Sequence, residues 1–119
     1  MKRGKRILFW TLKAIVALGF LLASLGKVTQ SEPVIEMFRA WGYFDGFYLI
    51  IGILELSLAI LILIPKTSRY AAIGLFLVMI GALITHLIND PLVEIIRPIV
   101  FMMFLAPIIY FQWNKGKAL

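Results

Sequence analysis

The chain has no cysteine and a single histidine, and only 15 % of its 119 residues carry charge. Without cysteine there are no disulfides, no thiol redox chemistry and no thiolate ligands for zinc or iron–sulfur clusters. One histidine, His86, cannot supply a bis-histidine haem site from this chain alone, and no zinc or copper ligand set is present, so no metal site is expected. Acidic residues are also scarce, six against twelve lysines and arginines. With so few polar groups and 62 % hydrophobic residues, the chain has too little polar surface to cover a water-soluble globule.

What is abundant is apolar sequence in long runs. Four windows, 7–25, 47–64, 70–88 and 92–111, are each long enough to cross a bilayer or nearly so. They predict an all-α integral membrane protein, an antiparallel four-helix transmembrane bundle forming a single domain over 1–119. The lipid bilayer is its first partner. A net charge of +6 could point to nucleic acid, but the basic residues follow membrane topology instead. Lys2, Arg3, Lys5, Arg6, Lys13, Lys66, Arg69, Lys115 and Lys117 fall on one side if the spans alternate, leaving Lys27, Arg39 and Arg97 on the other. The positive-inside rule then places both termini in the cytoplasm. A basic, apolar amino end without a clean cleavage site reads as a retained first helix rather than a signal peptide, and a bacterial cytoplasmic membrane is the expected location. Lys13 is expected to snorkel toward the inner interface.

The loop between the first two spans carries a pattern of its own. Ser31 as an N-cap, Pro33 in the first turn, and Val34, Met37, Phe38 and Trp41 at i, i+3, i+4 and i+7 predict a short amphipathic helix over about 32–41. It is too short to cross and should lie at the outer interface, with Trp41 and Tyr43 at headgroup level. It serves either as a surface anchor or as a lid over a site in the bundle. Small residues are expected to bring neighbouring helices close: Gly74, Gly81 and Ala82 on the third span against Gly52, Ser57 and Ala59 on the second. At the next outer turn Asp90 reads as an N-cap with Pro91 at the first helical position, and Pro98 and Pro107 should bend the fourth span.

One carboxylate lies inside an apolar run: Glu55, in FYLIIGILELSLAILILI. An acid at that depth costs on the order of 2.5–3.5 kcal/mol and normally faces the bundle interior with a partner. Counting about 1.5 Å per residue puts Glu55 roughly 12 Å from the outer edge, Arg97 about 7 Å, His86 about 3 Å and Lys27 at the rim. These four, with Trp41 and Tyr43, are the candidate ligand-binding residues of an outer-half polar pocket. Glu55 can equally be a helix staple paired with Arg97 or Lys27, and His86 a helix-end hydrogen-bonder.

Gly26-Lys27 after the first span, Phe38 followed by Trp41-Gly42-Tyr43, Gly52 with Glu55-Leu56, the run closing on Pro65, Gly81-Ala82 and Thr85-His86-Leu87 together resemble the DoxX-like family of small four-span membrane proteins. The resemblance runs from about Ala14 to Leu87, and the fourth span matches only in character. It implies an accessory subunit of a quinone-linked oxidoreductase or a membrane partner of redox enzymes, with no cofactor of its own beyond a bound quinone. Any enzymatic activity would belong to such a complex with a protein partner, and the small-residue faces of the spans permit a homo-oligomer without requiring one. Two other functions fit the same residues: a non-catalytic scaffold or chaperone, and a small proton-coupled exporter.

Overall fold

The computed structural model describes residues 3–115. Five α-helices account for most of it: α1 (Arg3–Val28), α2 (Glu32–Ala40), α3 (Phe47–Leu61), α4 (Ser68–Asn89) and α5 (Ile96–Lys115), with a 3₁₀ turn at Leu92–Ile95 leading into α5. There is no strand among the described residues. Arg3–Val28, Ser68–Asn89 and Leu92–Trp113 are long and apolar enough to cross a membrane, and Phe47–Leu61 is a shorter apolar helix. The protein is an all-α membrane bundle.

α1 packs against α3, α3 against α4, α4 against α5, and α5 closes the ring on α1, with α1–α3 and α4–α5 the most extensive seams. Helix α1 turns Val16, Ala17 and Phe20 inward, while Ala59, Leu75, Leu105 and Ile108 face them from the other three helices; all are buried. The opposite faces show Leu18, Leu22, Ile53, Leu77, Ile84 and Met103 to the surroundings, an apolar exterior that suits lipid and not water. The basic side chains Arg3, Lys5, Arg6, Lys66 and Arg69 sit at one end, hereafter the basic end. Lys2 and Lys117, expected on the same side, lie outside the described residues.

Helix α3 stops at Leu61, three residues short of the expected apolar window. Its last carbonyls explain the stop. Thr67 Oγ1 donates to the Leu61 carbonyl at 2.8 Å and the buried Ser68 Oγ to that of Ile62 at 2.7 Å, so side chains from the start of α4 satisfy acceptors that another turn of helix would otherwise use. At about 22 Å, α3 is shorter than a ~30 Å hydrocarbon core, and Ile62, Leu63 and Ile64 extend the apolar wall as turns.

Two local expectations change. Asp90 does not cap the following helix: its carboxylate is bonded to Trp41 and His86, and Pro91 occupies the cap position ahead of the 3₁₀ turn. Pro98 falls in the first turn of α5, where a missing N–H removes no intrahelical bond, leaving Pro107 as the proline inside the helix. Lys13 is 1 % exposed, and its ammonium reaches back one turn toward the basic end to rest over the Trp10 ring at 3.8 Å.

Candidate functional site

The last turn of α1 and the middle of α3 build the first part of the site. Gly52 makes their approach possible, because a Cβ there would stand 2.6 Å from Cβ of Lys27 and 3.3 Å from the backbone nitrogen of Val28. One turn further along α3, on the same face, Glu55 is 2 % exposed. Lys27 Nζ lies 2.9 Å from Glu55 Oε1, an ion pair nearly sealed from solvent, and also donates to the Ala23 carbonyl at 3.4 Å. The 2.9 Å separation establishes the charge contact.

Helix α2 and the turn after it build the second part, an aromatic cluster at the end opposite the basic one. Phe38, the buried residue of α2, gathers Trp41, Tyr43, Phe47 and Tyr48 around its ring at centroid distances of 5.1–6.2 Å. Polar tips of this aromatic cluster then fasten it to α4. Trp41 Nε1 donates to Asp90 Oδ2 at 3.0 Å, and His86 Nδ1 meets the same oxygen at 2.7 Å. Because a carboxylate only accepts, Nδ1 carries the proton and Nε2 of a neutral His86 is the acceptor. Thr85 Oγ1 donates to the Gly81 carbonyl at 2.9 Å, so the Tyr43 hydroxyl donates to Thr85 at 2.6 Å. Gly42 and Gly46, both at φ 90°, bracket the turn that carries Tyr43 back over the bundle.

Of the six candidate residues, the structure therefore joins Lys27 with Glu55, and Trp41 with His86 through Asp90. Tyr43 joins the same cluster through Thr85. No hydrogen bond or ion pair connects the two groups among the described residues. Arg97 is exposed at the start of α5 and belongs to neither, so the partner of Glu55 is Lys27. Asp90 and Thr85 were not singled out as site residues from sequence, although the i, i+4 spacing of His86 and Asp90 on one helix would have paired them.

If Trp41 fastens the cluster, Trp41→Phe keeps the ring but removes the donor to Asp90. The expected cost is about 1 kcal/mol, read as faster amide hydrogen exchange across residues 32–46 with the rest of the bundle unchanged. Exchange identical to wild type would show that ring packing alone holds the cluster.

A membrane bundle of four apolar helices, with a buried acid–lysine pair between α1 and α3 and an aromatic cluster fastened to α4, defines a small helical membrane protein with polar groups inside its apolar wall. The chain belongs to the DoxX-like family, whose model matches residues 11–108. That match reaches into α5, beyond the motifs that carry the resemblance in the sequence. Comparison with curated proteins and with solved structures finds no match.

Proposed function

We propose that this DoxX-like protein is an accessory subunit of a quinone-linked membrane redox system, binding the polar head of a quinone or a lipid at the end of the bundle opposite the basic one. One observation carries the reading: Glu55 is 2 % exposed inside the apolar bundle, with the Lys27 ammonium 2.9 Å from its carboxylate. A buried charge pair costs desolvation free energy that apolar residues of similar volume would avoid, and ionisable groups inside a membrane bundle mark binding or proton-handling sites. In this reading Lys27 donates to a carbonyl of the ligand head and Glu55 accepts from a hydroxyl of its reduced form. Burial of the carboxylate, 3 % exposed, keeps water from Glu55, while Lys27 reaches the rim. Electron-carrying groups reside on a protein partner, and both termini face the cytoplasm of a bacterial cell.

A second reading, a scaffold without a ligand, is favoured by the cluster itself, in which Trp41, His86, Asp90, Tyr43 and Thr85 satisfy one another. Native mass spectrometry with quinone and lipid extraction, on wild type and on Glu55→Gln at matched folding, separates the two. A quinone or specific lipid carried by the wild type and lost from Glu55→Gln supports the ligand site. Equal, empty spectra would make the pair a helix staple and favour the scaffold.

A further inference from the structure

At the basic end, far from the Lys27–Glu55 pair, α1 and α5 leave a shallow cleft lined by Lys5, Leu8, Phe9, Leu12 and Phe111. The lining has a direction. Lys5, Leu8, Phe9 and Leu12 recur at i, i+3, i+4 and i+7 on one face of α1, so the charge stands at the mouth and the apolar residues run inward for about 10 Å. Phe9 and Phe111 meet edge to face at 6.3 Å and close the floor. Lys5 is exposed, with no ion pair or hydrogen bond among the described residues.

We infer that this cleft binds one anionic phospholipid, its acyl chain against Leu8, Phe9, Leu12 and Phe111 and its phosphate on Lys5. Charge complementarity selects the occupant. The described side chains at this end include Arg3, Lys5, Arg6, Lys66 and Arg69, whereas the six acidic residues of the chain all fall between Glu32 and Glu94, on α2, within α3 and around the outer turns. Among the described residues no side-chain carboxylate lies beside Lys5, and a lipid phosphate at interface depth meets a cation with an apolar track directly below it. A zwitterionic lipid would fill the track equally but bring its own cation to Lys5.

The test is a titration of the purified full-length protein in neutral detergent with phosphatidylglycerol and, separately, with phosphatidylcholine, read by native mass spectrometry. A one-to-one phosphatidylglycerol adduct is expected, several times tighter than that of phosphatidylcholine. Lys5→Gln, a surface change that leaves the fold intact, should weaken phosphatidylglycerol about fivefold and phosphatidylcholine hardly at all, as one basic residue at a membrane surface contributes about 1 kcal/mol. Arg6→Gln, one residue away but outside the cleft lining, should leave both unchanged. Leu12→Trp, which fills the track, should weaken both lipids. Equal losses from Lys5→Gln and Arg6→Gln would overturn the site in favour of diffuse surface charge, as would equal affinity for the two lipids.

Discussion

Lys27→Met is expected to destabilise the folded bundle by about 3–5 kcal/mol, because it removes one partner of a buried charge pair and leaves the other uncompensated. Lys27 keeps 17 % of its side chain exposed while Glu55 keeps 3 %, so the cation can be solvated at the rim but the carboxylate has nowhere to turn. The loss therefore falls on Glu55. Removing both charges, in Lys27→Met with Glu55→Met, should recover most of the stability, since replacing a buried pair by apolar groups of similar volume is often neutral or favourable. Unfolding in mixed micelles, followed by helical circular dichroism across the four proteins of the cycle, measures the coupling directly. A single variant within about 1 kcal/mol of wild type would mean that the pair behaves like a solvated surface contact. Recovery of stability in the double variant together with loss of a bound ligand would show that the charges are kept for binding and not for the fold.

The residues of this pair were legible in the sequence for a simple reason: an acid inside an apolar run and a lysine at its rim stand out against everything around them. The four helices were legible on the same basis, as runs of apolar residues broken by short polar turns. What periodicity could not give was which helix each face meets. Gly52 and Glu55 share a face on any helical wheel, but Gly52 packs on Lys27 and Val28 of α1, not on α4 as its small size alone had led us to expect. Gly74 does serve the α3–α4 seam, against Leu58, whereas Gly81 and Ser57 are exposed and serve none. Asp90 was misread for a related reason. Asp-Pro ahead of an apolar run is a local helix-start signal, and the bond that actually claims its carboxylate comes from Trp41, 49 residues away. Short-range patterns carry no trace of such a partner.

The seam that Gly52 opens supplies the second large effect, and here the sign runs against helix propensity. In an open helix position Gly→Ala gains about 1 kcal/mol. Gly81 is such a position, with nothing within 4 Å of an added Cβ, and Gly81→Ala is expected to stabilise the protein by about that amount. At Gly52 the added methyl would meet Cβ of Lys27 at 2.6 Å, Val28 Cγ1 at 3.2 Å and the Val28 backbone nitrogen at 3.3 Å. The first and last of these belong to the frame of α1 rather than to a flexible tip, so the helix itself has to move. Overpacking of that kind costs about 1–3 kcal/mol, and Gly52→Ala should be destabilising despite its better propensity. Moving α1 also draws Lys27 Nζ away from Glu55, so the two predictions are coupled: in a Gly52→Ala background, Lys27→Met should cost less than it does in wild type. The same micelle unfolding assay reads all of this. Should Gly52→Ala stabilise the protein as Gly81→Ala does, the close α1–α3 approach that buries Glu55 beside Lys27 would be wrong, and the ion pair with it.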